Sequence, residues 1–246
     1  MTAPVIAMAV GIVTAAGCGS GGGPAAQPSS QASTSATPHP SSSTAAIPTG
    51  VQLGKVLDAA HLPAGWTHAQ GEGNGMQSSG SMNTTKNGPL PGQYGCKYVD
   101  GSVQAGYILN WWSSSNATMI LTYPSGAGTP TVNLTVAAYA PGAAAKNMAK
   151  AAALMAHCRS FRDPGLDNDR DTTSVTTIPH LGDQNLFLTS KEHTSNAGTL
   201  IGQLLLIRAG NYILAVSNGV NGLRPATVQG FGGWLWQLLQ KSKYLS

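Results

Sequence analysis

Beyond residue 50 the chain alternates between two apolar periods. Leu53, Val56, Leu57 and Ala60 share one face of a 3.6-residue repeat, and Pro63 after Leu62 ends the short helix they predict. Across 103–111 the odd positions Val103, Ala105, Tyr107, Leu109 and Trp111 are apolar while Gln104 and Asn110 are polar, the pattern of a half-buried strand. Strand-like runs also occupy 118–123, 132–138, 185–191, 200–208 and 212–217. The last two meet at Gly210 and Asn211, residues that tolerate positive φ and so favour a tight hairpin. Their LLLI and YILAV cores are apolar on both faces, which places the hairpin at the covered centre of a sheet.

Between the strand groups, Ala144, Met148, Ala152 and Met155 recur on one face of a helix predicted over 141–157, with Pro141 in its first turn. A terminal helix over 225–241 buries Val228, Phe231, Leu235 and Leu238. Its Gly230, Gly232 and Gly233 each cost about 1 kcal/mol against Ala, so their presence points to a close approach between helix and sheet. The Gly/Ser/Asn-rich stretch 71–92 reads as a long loop. Helix, three strands, helix, three or more strands, helix is an α+β order: an antiparallel sheet of about six strands, flanked by helices set to one side, in a domain over 51–246.

The first fifty residues follow neither period. Residues 5–16, VIAMAVGIVTAA, form an apolar run that suits the core of a signal peptide and is shorter than the roughly 20 residues that span a bilayer. Ala15-Ala16-Gly17-Cys18 resembles a bacterial lipobox, in which small residues precede a Cys that carries the lipid after cleavage. The expectation is a signal peptide over 1–17, palmitate-type lipidation of Cys18 and attachment to the outer face of the cell membrane. No Lys or Arg precedes the apolar run, a departure from the usual signal peptide that a start further upstream would explain. Residues 18–50 begin with the lipidated Cys and continue as Ser, Pro, Ala, Gly and Thr, too poor in large apolar side chains to offset the entropy of ordering them. They are read as a linker.

Composition narrows the partners. The chain has 13 basic and 9 acidic residues, so only 9% of its positions are charged. Lys146, Lys150, His157 and Arg159 are the nearest approach to a basic cluster, which is too thin a footprint for nucleic acid and reads as a solvated helix face. With Cys18 assigned to the lipid, Cys96 and Cys158 remain as a pair. In an oxidising compartment they form one structural disulfide, since neither carries CxxC or HxxxH metal spacing. Closing a loop of roughly 60 residues contributes up to about 4 kcal/mol.

Four phrases now line up: LPAGW at 62–66, CRSF at 158–161, LGD at 181–183 and RAGN at 208–211. Together they resemble the PknH-type extracellular sensor domains of actinobacteria, found on receptor kinases and as free-standing lipoproteins. The resemblance implies a helix-flanked antiparallel sheet with a ligand-binding cleft. Two features depart from it: the sensor domain of the family's receptor kinase carries a second disulfide, for which this chain has no second cysteine pair, and no kinase segment is present.

Catalytic signatures are absent from the sequence. There is no GxSxG or Ser/Lys motif, so no catalytic residue is assigned and the chain is read as a non-enzyme without cofactor. Asp167, Asp169 and Asp171 imitate the start of a calcium loop, but Thr172 and Ile178 stand where its Gly and Glu belong, leaving an acidic turn and no metal. GEGNGM at 71–76 lacks the strand and helix of a dinucleotide loop. His157, His180 and His193 have no metal spacing and read as structural or surface residues. The adjacent Trp111 and Trp112 must face opposite sides of a strand, so Trp112, with Asn110 and Arg208, is the candidate platform for an apolar or sugar-like ligand. The resulting expectation is a membrane-anchored sensor that binds a small molecule or wall component in a cleft between sheet and helices. A glycan- or peptidoglycan-binding structural lipoprotein is the alternative, and a secreted hydrolase stands behind both.

Overall fold

Thr49 and Gln52 open the first helix by bonding each other's backbone. Thr49 N–H donates to Gln52 Oε1 at 2.8 Å and Gln52 N–H to Thr49 Oγ1 at 3.3 Å, the reciprocal pattern of a capping box. The structure is a computed structural model that describes residues 46–58, 60–69, 76–80, 96, 113–124, 129–162, 170–194, 198–218, 223–242 and 244. The calls for the signal peptide, Cys18, most of the linker and the strand over 103–111 lie outside the described residues.

Among the described residues three helices and nine strands follow one another. They are α1 (Gly50–Asp58), β1 (Thr67–His68), β2 (Met76–Gly80), β3 (Ser113–Thr122), β4 (Thr131–Tyr139), α2 (Ala143–His157), β5 (Ser160–Arg162), β6 (Arg170–Thr176), β7 (Gln184–Thr194), β8 (Gly198–Ala209), β9 (Tyr212–Asn218) and α3 (Pro225–Gln240). All strands join one antiparallel sheet of order β1-β3-β4-β9-β8-β7-β6-β5, and β2 also pairs with β3. The sheet thus has nine strands where about six were expected. The extra ones are short or polar: β1 and β5 have two and three residues, β6 is RDTTSVT, and β2 lies inside the stretch expected to be loop.

The sheet is covered on both faces, not on one. Val132, Leu134 and Val136 of β4, Leu205 and Ile207 of β8 and Leu214 and Val216 of β9 point toward α1 and α3, where Leu53, Leu57, Val228, Phe231 and Leu235 complete a core. The alternate positions Ala137 and Tyr139, Leu204 and Leu206, and Ile213 and Ala215 meet Ala144, Met148, Ala151, Leu154 and Met155 of α2. This explains the doubly apolar runs of β8 and β9, which occupy the middle of the sheet as expected. In their hairpin Gly210 takes positive φ (57°) at the first central position of a two-residue turn, with Ala209 opposite Tyr212.

Pro141 does not sit in the first turn of α2. Ala143 N–H donates to Ala140 O at 3.0 Å across Pro141 and Gly142, and Gly142 has φ 76°. Pro then Gly of positive φ is a type II turn, which delivers the chain to the helix two residues later. At the other end of α2, Cys158 is fully buried and bonded to Cys96, with Cα atoms 5.2 Å apart, as the cysteine count required. Of the three glycines in α3 only Gly232 meets the sheet closely: a Cβ there would overlap the Leu205 side chain, whereas Gly230 and Gly233 face open space.

Candidate functional site

An aromatic groove lies between the 61–66 segment and α3. Its position follows from local chemistry. Trp66 N–H donates to Pro63 O at 3.1 Å, closing a turn whose third residue, Gly65, has φ 83°. Only Gly fits there, for the conformation and because a Cβ would press on the Tyr123 ring at 2.6 Å. The next residues, Thr67 and His68, pair with Thr122 and Leu121 of β3, so Trp66 is fixed from both sides.

Three rings build the groove wall. Trp66 stands edge-to-face on Phe231, centroids 4.8 Å apart at 90°, and Phe231 meets Trp234 at 6.3 Å and 89°. Tyr123 supports Trp66 from behind at 5.5 Å. Phe231 and Trp234 are three residues apart on α3 and therefore neighbours on its surface. Trp234 Nε1–H donates to His61 O at 3.2 Å, which ties α3 to the turn. Pro63, Thr227, Gly230 and His61 complete the lining of a space of about 420 Å³, the size of a small-molecule site. Gly230 leaves it open, since any larger residue would project into it. A hollow of about 490 Å³ between α1 and the end of α3 is lined by Gln52, Lys55, Val56, Leu238, Lys241 and Tyr244.

Trp112 and Asn110 lie outside the described residues. Arg208 is on the opposite face of the sheet from the aromatic groove, in line with Leu204 and Leu206. Its Nη1 is 3.1 Å from Asp183 Oδ2, and that same carboxylate oxygen accepts from Gly210 N–H at 2.7 Å. Asp183 N–H in turn donates to Arg208 O at 2.8 Å. Gly182, at φ 68°, approaches so closely that a Cβ would meet Arg208 O at 2.5 Å. Asn185 accepts from Ile178 N–H and donates to Ile178 O and Leu181 O. The LGD and RAGN phrases are therefore two halves of one clamp around the β8–β9 hairpin.

The other candidates stay apart. His157 is exposed at the end of α2, His180 sits in a turn at φ 59°, and His193 Nδ1 shares a hydrogen bond with Thr199 across β7 and β8. No group of three or more metal-ligating side chains occurs among the described residues. Asp171 lies buried within β6 rather than in an acidic turn, while Asp167 and Asp169 are outside the described residues.

Among the described residues no helix is long and apolar enough to cross a membrane. Tyr139 is the most perturbed ionisable group: burial raises its phenol well above the ordinary value, against the lowering effect of the 3.0 Å bond it accepts from Asn147 Nδ2. Both residues belong to the packing between β4 and α2, not to a cleft.

Sequence reasoning missed the groove because its parts were assigned separately. In the sequence LPAGW reads as a phrase and Phe231 as core, and neither points to Trp234. The available signal was Phe231 and Trp234 at helical spacing beside Gly230.

No protein-family model and no curated protein matches the sequence. Among solved structures, the extracellular domain of PknH from Mycobacterium tuberculosis aligns with a TM-score of 0.47 and 12% identity, over 80% of this chain and 93% of that one.

Proposed function

We propose that this chain is a non-catalytic, sensor-like binding domain held outside the cell membrane by a lipid on Cys18, and that it takes a small molecule with an apolar or sugar-like ring. The groove of Trp66, Phe231 and Trp234 carries the reading. Rings set at right angles offer faces for stacking, and the Thr227 hydroxyl and His61 imidazole at the rim supply polar partners. A Cys96–Cys158 disulfide fits an oxidising compartment. The groove lies between a turn and α3 rather than between sheet and helices. A wall glycan presents the same ring chemistry as a free saccharide, so peptidoglycan is the second source of ligand.

The test is a titration of the full chain with chitotriose and with 1-anilinonaphthalene-8-sulfonate, followed by tryptophan emission. A saturable change is expected with at least one probe, and Gly230→Leu should abolish it by filling the groove. No saturable change, or a change indifferent to Gly230→Leu, would sink the proposal. Chitotriose saturation together with retention on purified peptidoglycan would assign the wall as ligand. The anchor is tested separately by palmitate labelling in a bacterial host: the Cys18→Ala chain should lose the label, and a retained label removes Cys18 from the reading.

A further inference from the structure

The strongest unassigned feature is the outer edge of β6 beside the end of α2. Among the described residues β5 covers β6 only opposite residues 170–172, and Thr173 N–H then donates to Arg159 O at 3.0 Å. Beyond that point the chain leaves the sheet for α2. Backbone groups of alternate residues face the same neighbour. Because Thr173 N–H points away from β7, the N–H and C=O of Val175 point the same way, and no described residue takes them. From Thr172 to Ile178 the edge holds Thr, Ser, Val and Ile without a charge or a proline, the devices that usually blunt an edge strand.

A crevice of about 430 Å³ runs along this edge. It is lined by Ala152, Met155 and Ala156 of α2, by Thr173 and Val175 of β6, by Leu186, and by Arg159 at one end. Val175 is paired with Leu188, whose side chain belongs to the core under α2, so Val175 faces α2 as well and is 38% exposed. A residue added opposite Val175 would share that face and place its side chain in the crevice.

Direction decides the occupant. β5 runs antiparallel to β6 and starts just after Arg159. A segment continuing the line of β5 past Arg159, also antiparallel to β6, would end with its C-terminus at Arg159. A parallel segment would bring an ammonium there instead, against the guanidinium. We infer that the free edge of β6 and the end of α2 form a second binding site, for an extended peptide that pairs antiparallel with Val175, sets an apolar side chain against Met155 and presents its C-terminal carboxylate to Arg159. Main-chain pairing provides the attachment and the charged end provides the polarity, as in other strand-addition sites.

The probe is a pool of acetylated hexapeptides randomised over Val, Ile, Leu, Phe, Thr and Ser, prepared with free C-terminal carboxylates and again as C-terminal amides. Each pool is equilibrated with the full chain, and recovery is read by mass spectrometry after ultrafiltration. The acid pool should be retained about tenfold over the amide pool, the scale of one charge-assisted hydrogen bond. Arg159→Gln, an exposed substitution, should bring that ratio to about one. Val175→Pro removes only the donor on the free side and leaves the ladder to β7, so retention of both pools should fall while thermal unfolding stays in place. Equal retention of acids and amides by the native chain overturns the proposal. So does a concentration-dependent dimer abolished by Val175→Pro, which would show the edge occupied by a second copy.

Discussion

The two helical layers fill the faces of one sheet with different side chains. Under α2 the buried contact is made by Leu154, Leu188, Leu204, Leu206 and Ile213 with Ala144, Ala151, Met148 and Met155, aliphatic, small or pliant groups that close the space, and by one buried polar pair, Asn147 with Tyr139. Under α1 and α3 aliphatic residues form the deep core, but its margin is built from Trp66, Phe231 and Trp234 meeting edge-to-face. Rigid rings at right angles do not tile, and the gap they leave is the groove. The α2 layer opens at its end, where the helix stops and the β6 edge begins. The groove at the margin of the other layer thus follows from side-chain shape.

Four substitutions would break or sharpen that contrast. The largest effect is expected from Cys158→Ser, which frees the end of α2 from Cys96: the disulfide model gives a loss of about 4 kcal/mol, read by denaturant unfolding with and without reductant. A loss confined to well under 1 kcal/mol would mean that the alanine layer holds α2 unaided. Next comes a sign reversal inside α3. Gly232→Ala should destabilise by about 1–3 kcal/mol through overlap with Leu205, while Gly230→Ala should stabilise by about 0.5–1 kcal/mol through helix propensity. Equal signs in thermal melts would refute the close approach of this layer.

The smallest effect concerns pH. The Tyr139 phenol is held neutral by burial, so its folded pKa lies above the ordinary phenol value of about 10. Above about pH 10 the unfolded chain releases this proton and the folded chain keeps it, so stability falls as pH rises from there. Tyr139→Phe should flatten that alkaline decline without altering the profile near neutrality. An unchanged slope in urea unfolding at pH 9–11 would show that Tyr139 titrates freely.

How far the sequence revealed all this depended on the kind of signal. β4, β7, β8, β9, α1, α2 and α3 were each marked by periodic apolar residues, and each stands within a few residues of where it was expected. β5 and β6 carry SFR and RDTTSVT, where hydrogen bonding to neighbours, not burial, makes the strand, and no period announces that. The capping box at Thr49 and Gln52 is legible in the sequence as Thr and Gln three residues apart at the head of an apolar-periodic run. That α2 lies opposite α1 and α3 was beyond the sequence, because β8 and β9 are apolar on both faces and do not say which helix covers which. The aromatic groove needed two distant segments, 61–66 and 227–234, to be placed together, a fact of tertiary structure alone.

The strand order also bears on how the chain reaches this state. From β3 to β4 the chain runs from one margin to the middle, then α2 carries it to the far margin, and β5 to β9 return in sequence to pair with β4. β3 and β4 form one local hairpin and β5 to β9 a meander of them, each closed on the microsecond scale. The β4–β9 seam joins residues 131–139 to 212–218 and must wait for both halves. A bridge between Cys96 and Cys158, 62 residues apart, tethers the start of that meander near the first half of the chain and shortens the search for the seam. A chain refolding with the bridge intact should therefore close the seam faster than one kept reduced.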